Sequence, residues 1–365
     1  ISMIRLWCNN HFNHLIMLKH YIISSLRNIS RHRLFSVINI FGLAIGLASF
    51  LNIYLYVQDE LQYDNFHKDG DRVYRIVQDY KKASGGSANL PGVLEEKLKG
   101  NVPQATALTS IYKDHKTVIN SHDQTFPEDG VYFTEPQLFR ILSLQLMEGS
   151  PEKALDGPFK MVITPNAAEK YFGRKNPIGQ TLTIDHEHTY EITGILEPLP
   201  EHSHLDIDFL ASLSSIRKTN SLAYAHWGFA SSYFYLKLYD QADPAEAERV
   251  INNLYLEEKE EGYGDYVKLK LQPLKEIYLQ SSDLEYDIAS HGNIRYVKGF
   301  GALALFILLI VGFNYMNLST ARMSIREKEI GMRKIVGAGR RKILFQFLGE
   351  SFVFTLLAAA LALLM

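Results

Sequence analysis

The chain has 365 residues, a formal net charge of −2, 47% hydrophobic residues and a single cysteine, Cys8. These totals match an ordinary soluble protein, and one cysteine excludes a core held by disulfides. The distribution of charge is more informative, because residues 58–298 hold 25 basic and 37 acidic side chains whereas both flanks are basic. The basic residues lie beside apolar runs, which indicates membrane topology and excludes nucleic acid as a partner.

The N-terminal segment, residues 1–33, contains five Lys or Arg residues and no acidic residue. Apolar side chains in residues 17–33 recur at helical spacing, which predicts an amphipathic helix lying at the inner membrane interface. A cytoplasmic extension of the first membrane span is the alternative interpretation.

Residues 34–57 predict the first transmembrane helix. They contain no charged residue over 24 positions, and at about 1.5 Å per residue they extend roughly 36 Å, enough to cross a hydrocarbon core of about 30 Å. Gly42 and Gly46 form a G-x-x-x-G pattern, which permits close helix packing or dimerisation but is weak as a lone motif.

Residues 58–298 predict a mixed α+β region, divided into two subdomains. A hairpin is expected across the polar turn 185–188. Strands are predicted at residues 72–79, 107–112, 116–120, 130–134, 159–164, 181–185, 190–196, 231–238 and 267–273, and helices at residues 90–99, 135–142, 166–172 and 245–261.

Four histidines and two aspartates cluster in this region: His186, His188, His202, His204, Asp206 and Asp208. Nitrogen and oxygen donors of this kind suit zinc or copper. Because His186 and His188 fall in the predicted hairpin turn, the favoured interpretation is that these are surface-loop histidines, and no metal site is predicted.

The second predicted span, residues 299–319, includes an uncharged run of twenty residues at 300–319. Asn314 and Asn317 within it are expected to hydrogen-bond to neighbouring helices, each contributing about 1 kcal/mol. The third predicted span, residues 343–365, carries one charge, Glu350, which either couples helices or pairs near the interface with Arg340 or Arg341. Since that run stops with the chain, we expect the natural protein to continue.

Residues 320–342 connect the last two spans, and from residue 322 onward they contain eight basic and two acidic side chains. A short helix is predicted at residues 324–333, ended by residues 336–339. The positive-inside rule assigns this connection and residues 1–33 to the cytoplasm. The predicted fold class is therefore a membrane protein with an α-helical transmembrane bundle of three spans. A large α+β domain, residues 58–298, is inserted on the external side between the first and second spans.

No catalytic motif is present in the sequence. The glycines at 331, 337 and 339 do not fit the P-loop spacing GxxxxGK[ST], and neither HExxH nor GxSxG occurs. We therefore expect a chain that is not an enzyme and does not itself hydrolyse ATP.

Four stretches together resemble the MacB/FtsX family of ABC transporter permease subunits. They include VITPNAAEKYFGRKNPIGQTLTI and a long basic stretch that contains SIREKEIGMRKIVGAGRRK, and they lie at residues 27–76, 162–184, 190–212 and 313–351. The chain looks most like the longer permeases of Bacteroidetes-type bacteria, with a MacB-like periplasmic core domain and an FtsX-like transmembrane region. Members of the family carry a fourth helix, so the resemblance also implies that this chain is truncated.

The resemblance implies a multi-pass subunit of the bacterial inner membrane, with a cytoplasmic N-terminus and residues 58–298 in the periplasm. A separate cytoplasmic ABC ATPase binds ATP and Mg, and a coupling helix passes its closure through the membrane, so no cofactor is expected in this chain. The positions that match the coupling helix are Arg326, Glu327, Lys328, Glu329, Ile330, Gly331, Arg333 and Lys334. Their alternative role is to fix topology and bind anionic lipid.

The other partners that the resemblance implies are the lipid bilayer and a second permease copy, either a homodimer partner or a duplicated half. A periplasmic adaptor and an outer-membrane channel accompany some members. The implied work is export of drugs or peptides, handling of lipoproteins, or activation of a cell-wall hydrolase. The alternative function is a membrane-anchored sensor with a periplasmic ligand domain, against which the third span argues.

Overall fold

The computed structural model of the protein describes residues 33–81, 85–113, 117–121, 124–220, 224, 226–259, 262–336 and 339–365. At residues 124, 322–330, 333–334, 340–343 and 346 the backbone alone is described. Cys8 and the predicted amphipathic helix, apart from Arg33, lie outside the described residues. The chain divides into two compact units, one of which is Asp59–Ile294 and the other of which contains the flanking segments Ile1–Gln58 and Arg295–Met365.

The described helices are α1 (Arg33–Glu60), α2 (Leu94–Leu98), α3 (Gln137–Ile141), α4 (Pro165–Phe172), α5 (Leu213–Thr219), α6 (Pro244–Leu256), α7 (Ile277–Gln280), α8 (Ile294–Ile335) and α9 (Arg340–Ala362). Short 3₁₀ turns lie at Gly70–Arg72, Tyr263–Asp265 and Leu274–Glu276.

Two helices of the flanking unit are long and apolar enough to cross a membrane. They are α1 and the part of α8 that runs over Ile294–Ala321. Large apolar side chains such as Leu34, Phe306 and Ile310 are more than half exposed on these helices, as expected where lipid takes the place of water. In α9 the apolar part is Phe347–Ala362, shorter than the roughly 20 residues that a full crossing needs, so the third span stays a prediction.

Helix α8 does not end after the second predicted span. It runs without interruption for 42 residues, Ile294–Ile335, so the separate short helix expected at residues 324–333 is wrong. The sequence between the span and Ile335 contains no proline, and Arg, Glu, Lys and Met favour helix. The single Gly331 in that stretch is tolerated. The helix ends at Ile335, shortly before the glycines that the sequence has at 337 and 339.

The external unit, Asp59–Ile294, is built on one mixed sheet. Among the described residues it has fifteen strands, in the order β15-β2-β1-β13-β4-β7-β12-β9-β11-β10-β5-β6, with β14 also paired to β1, β3 to β13 and β8 to β11. The strands are β1 (Val73–Tyr80), β2 (Gly86–Ser87), β3 (Leu90–Pro91), β4 (Ala105–Lys113), β5 (Thr117–Ser121), β6 (Gln124–Glu128), β7 (Val131–Thr134), β8 (Leu146–Glu148), β9 (Lys160–Ile163), β10 (Thr181–Ile184), β11 (His188–Leu196), β12 (Phe209–Ser212), β13 (Ala230–Leu238), β14 (Val267–Pro273) and β15 (Leu284–Glu285).

A continuous sheet replaces the two subdomains that the sequence predicts. The pairs β7/β12 and β9/β11 are parallel and join the two halves of the strand order, so no break separates them. The buried apolar side chains of the unit form three hydrophobic clusters, which include Leu138, Ile192 and Phe234 respectively. Backbone hydrogen bonds therefore connect the strands of the external unit from one edge of the sheet to the other.

Local sequence explains the element ends that were predicted well. Thr164 caps α4, its Oγ1 accepting from the Ala167 amide at 3.3 Å, Pro165 occupies the first turn, and Gly173 closes the helix with φ of 60°. The predicted helix at residues 90–99 is wrong in its first half. Leu90 and Pro91 instead pair with β13, and helix starts only at Leu94.

Candidate functional site

The residues predicted to couple the chain to an ATPase lie on the last third of α8. Seven of them, from Arg326 to Lys334, have only their backbone described, and that backbone is helical; Gly331 is half-buried. Since α8 begins at Ile294, the final residue of the external unit, one helix connects that unit to the basic segment. Their role as docking residues stays a prediction.

The G-x-x-x-G pattern of α1 faces α8 within the same chain. A Cβ atom placed on Gly46 would overlap Cγ2 of Val311, and one on Gly42 would lie 3.6 Å from Nδ2 of Asn314. The contact at Gly46 leaves no room for a side chain, so glycine permits the close approach of these two helices. Asn314 and Asn317 are exposed in the chain, and their predicted hydrogen bonds stay a prediction. Glu350 is 7% exposed in α9, and its coupling role is likewise untested.

A buried network of charged and polar side chains occupies the external unit. Its centre is Arg75 on β1, which is fully buried. The guanidinium donates to both carboxylate oxygens of Asp287, at 2.5 and 2.7 Å, and to Gln272 Oε1 and Ser281 Oγ at 2.9 and 3.0 Å. Burial alone lowers the pKa of Arg75, but Tyr235 and Asp287 outweigh it, so the net shift of the pKa is upward.

His204 extends this network to the beginning of the unit. Its Nδ1 lies 2.7 Å from Asp64 Oδ1, and its Nε2 lies 3.0 Å from the Tyr235 hydroxyl, which in turn hydrogen-bonds Arg75. Burial raises the pKa of Tyr235 above its usual range. Burial also raises the pKa of Asp64, but the charge and the hydrogen bonds of His204 outweigh burial and hold that pKa well below its usual range. Asp64 is therefore an ionised carboxylate enclosed by imidazoles.

The network joins the two segments by which the chain enters and leaves the external unit, residues 59–67 and 287–294. Ser290 donates its amide to the His204 carbonyl at 2.9 Å, and Gly292 donates to the Tyr278 carbonyl at 2.9 Å. Tyr278 stacks face to face on Tyr63, with ring centroids 3.3 Å apart. The two ends of the unit are thus fixed to each other and to its core.

The structure separates the histidines that the sequence grouped. His186 is exposed in the hairpin turn with φ of 61°, as a surface-loop residue should be. His188 is the first residue of β11, and His202 is half-buried with Nε2 2.6 Å from Asp59 Oδ1. His204 is fully buried, so its assignment to the surface is wrong. Its partner Asp64 lies 140 residues earlier in the sequence, so no local sequence pattern could predict this contact.

Asp206 and Asp208, which the sequence grouped with these histidines, have other surroundings. Asp206 is exposed, and Asp208 accepts from Thr164 Oγ1 at 3.1 Å. Burial raises the pKa of Asp208 despite that hydrogen bond. Both line a cavity of about 400 Å³ that Tyr63 and Ser290 also line. A polar cavity therefore adjoins the buried network.

A second buried carboxylate lies at another cavity of the unit. Glu95 is fully buried, accepts from Ser110 Oγ at 2.8 Å and from Arg217 Nη2 at 2.9 Å, and has its pKa raised by burial and by Glu135. Glu135 and Lys99, which form an ion pair at 2.7 Å, line the adjoining cavity of about 620 Å³. Sequence reasoning missed Arg75 and Glu95, although a charge inside the apolar strand VYRIV is a signal of burial with a partner.

Two family patterns match this chain. The MacB-like periplasmic core domain matches residues 36–254, and the FtsX-like permease C-terminal region matches residues 301–365. A domain of a permease protein from Porphyromonas gingivalis has a related solved structure, with 15% identity and a TM-score of 0.49 over 61% of this chain and 96% of that one.

Curated relatives agree with these matches. The chain is 23% identical to the uncharacterized ABC transporter permease YknZ of Bacillus subtilis over 91% of its own length and 81% of that protein. It is 20% identical to the macrolide export ATP-binding/permease protein MacB of Aggregatibacter actinomycetemcomitans over 93% of its length, and spans 51% of that protein. The chain belongs to the MacB/FtsX family of ABC transporter permeases, with a MacB-like periplasmic core domain and an FtsX-like transmembrane region.

Proposed function

We propose that this chain is a non-catalytic membrane subunit that converts ATP hydrolysis by a separate cytoplasmic ATPase into movement of its external domain. The observation that carries the proposal is the continuity of α8, which joins the external unit to the basic segment over 42 residues. At about 1.5 Å per residue this is a rod of roughly 63 Å. A helix without a proline or a described break transmits displacement and rotation better than two helices joined by a loop.

The anchoring of the external end supports this role. A rod moves a domain only if its end is fixed to the domain, and the outgoing segment, residues 287–294, is fixed by the Asp287–Arg75 ion pair and by the amides of Ser290 and Gly292. The incoming segment is fixed by the Tyr63–Tyr278 stack. Movement of α8 is then passed to the sheet instead of being absorbed by a flexible connection.

On the cytoplasmic side, the ATPase docks on Arg326, Glu327, Lys328, Glu329 and the charged residues that follow. Mixed charges on one short helical stretch suit recognition of a protein surface, and the surplus of basic residues holds the segment at the inner face of the membrane. The N-terminus lies in the cytoplasm and the external unit in the periplasm in this arrangement. A second copy of the permease completes the transmembrane assembly.

The work performed in the periplasm is export of a drug or peptide, or handling of a lipoprotein. The two polar cavities of the external unit, about 400 and 620 Å³, are large enough to receive part of such a cargo or of a periplasmic adaptor. An adaptor and an outer-membrane channel would complete an exporter.

The test is purification of the full-length permease from its own membranes, with Walker-motif proteins in the eluate identified by mass spectrometry and their ATPase activity measured. The wild type should retain an ABC ATPase. The charge swap Glu327→Lys with Lys328→Glu should release it, whereas Arg174→Glu with Lys175→Glu, on the exposed surface of the external unit, should not. An ATPase that is absent from the wild type, or retained equally by both variants, would refute the proposal.

A further inference from the structure

Three ligand-type side chains of the external unit converge on one buried point. Asp64 is fully buried, His204 is fully buried and His67 is 6% exposed. One donor atom from each lies within 4.8 Å of the others. Asp64 Oδ1 is 2.7 Å from His204 Nδ1 and 3.4 Å from His67 Nε2. These three residues are called the Asp–His–His cluster below.

The protonation of His67 follows from its backbone partner. Its Nδ1 lies 2.5 Å from the Leu142 carbonyl oxygen, and a carbonyl can only accept, so Nδ1 carries a hydrogen. In the neutral ring Nε2 is then a bare lone pair. That lone pair faces the Asp64 carboxylate without a hydrogen bond, and Asp64 Oδ2 is also buried without a hydrogen-bond partner among the described residues.

Two buried acceptors that face each other are unfavourable unless a cation lies between them. The pattern around His67 is also the one that holds metal-binding imidazoles, in which the second ring nitrogen donates to a backbone carbonyl and leaves the first free to bind. Two imidazole nitrogens and one carboxylate form a set that Zn²⁺ accepts, with a fourth position for water or the second carboxylate oxygen.

We propose that the Asp–His–His cluster is a structural binding site for one divalent cation of the Zn²⁺ class. The cation takes the place of the proton between His204 Nδ1 and Asp64, and that proton is released to solvent. His204 Nε2 keeps its hydrogen and donates it to the Tyr235 hydroxyl, 3.0 Å away, so the bound ring is neutral and Nδ1 is a ligand.

Such a metal would join the incoming segment, through Asp64 and His67, to the loop that carries His204. The loop is in turn held to the outgoing segment by the Ser290 amide. The site would therefore stiffen the unit at the two points where the chain enters and leaves it. This inference does not depend on the proposed coupling to an ATPase, because a metal can be bound whether or not a partner docks.

The test uses the full-length chain purified in detergent and stripped with EDTA. Zn²⁺ alone is titrated against a chromophoric chelator, and bound metal is counted by mass spectrometry. We expect one Zn²⁺ per chain in the wild type, binding at least about 100-fold weaker in His67→Gln and in Asp64→Asn, and unchanged in the matched control His186→Gln with His188→Gln. Tyr235→Phe, which removes the hydroxyl that His204 and Arg75 share, should weaken binding about tenfold.

A second measurement covers the case in which a ligand variant does not fold. Co²⁺ bound to the wild type should show the visible d–d absorption of a four-coordinate site with nitrogen and oxygen ligands, and Zn²⁺ should displace it. Failure of the stripped wild type to bind either ion would overturn the proposal and would mean that a proton on His67 Nε2 bridges to Asp64. Zn²⁺ binding that persists in His67→Gln, or is lost in the double control, would also overturn it.

Discussion

Replacing Arg75 by methionine removes the guanidinium at the centre of the buried network while keeping much of the volume of the side chain. The variant loses two charge-assisted hydrogen bonds to Asp287, at 2.5 and 2.7 Å, and those to Gln272 and Ser281. The Asp287 side chain is 1% exposed, and its carboxylate then keeps the Ala289 amide at 3.0 Å and His291 Nε2 at 3.7 Å but loses its permanent counter-charge. Breaking a buried pair from one side costs about 3–5 kcal/mol, a large part of the roughly 5–15 kcal/mol that stabilise a typical domain.

The free energy of unfolding of the full-length chain in detergent can be measured by urea titration, followed through Trp227, one of the two tryptophans of the sequence. Arg249→Met is the matched control, because the Arg249 side chain is 65% exposed in its ion pair with Glu246. This variant should lower the free energy of unfolding by less than about 0.5 kcal/mol. The double variant Arg75→Met with Asp287→Leu should recover most of the loss, since both charges of this pair are then absent and neither is left buried without the other.

Two results would refute this reasoning. One is a loss below about 1 kcal/mol in Arg75→Met, which would mean that Asp287 finds water or another partner. The other is a double variant no more stable than the single one, which would mean that the geometry of the network matters and the unpaired charge does not.

Three further changes test other parts of the structure. Burial raises the pKa of Glu95 above its ordinary value of 4.5, so the native state holds the proton more tightly than the unfolded state does. The free energy of unfolding should therefore fall as the pH rises from the ordinary pKa to the raised pKa. Glu95→Gln should remove this slope from the pH dependence of the urea midpoint, whereas the exposed Glu169→Gln should keep it. Gly46→Leu meets Val311 and should destabilise the helix pair by about 1–3 kcal/mol in thermal unfolding, while Gly301→Leu, which meets nothing within 4 Å, should be close to neutral. Two glycines inserted after Ala321 weaken α8 by about 2 kcal/mol and should leave ATPase binding intact in pull-down assays while abolishing transport; retained transport would argue against a rigid rod.

Elements with a strong local signal could be predicted from the sequence. The uncharged residues 34–57 fall within α1. Helix α4 begins after its N-cap Thr164, with Pro165 in the first turn, and ends before Gly173. The β10–β11 hairpin follows from alternation around a polar turn. Each of these depends on neighbours a few residues apart.

What could not be predicted depends on contacts between distant parts of the chain. The two-residue strands β2, β3 and β15 are too short to show a period, and they exist because long strands lie beside them. The burial of His204 is decided by Asp64 and Tyr235, which lie 140 and 31 residues away. The extension of α8 to Ile335 was missed because the basic composition of its end suggested a change of environment, although the helix propensity of those residues does not change.

The proximity of the two ends of the external unit has a consequence for how such a permease can evolve. Glu60 Oε2 lies 2.7 Å from the position that a Cβ on Gly292 would take, so the first and last residues of the unit leave it side by side. A domain whose ends meet can be exchanged, enlarged or removed at that point while the rest of the chain keeps its continuity. Residues 59–294 therefore form a cassette, and joining residues 60 and 292 by a short linker should permit a circular permutant that opens at the exposed hairpin turn 185–187.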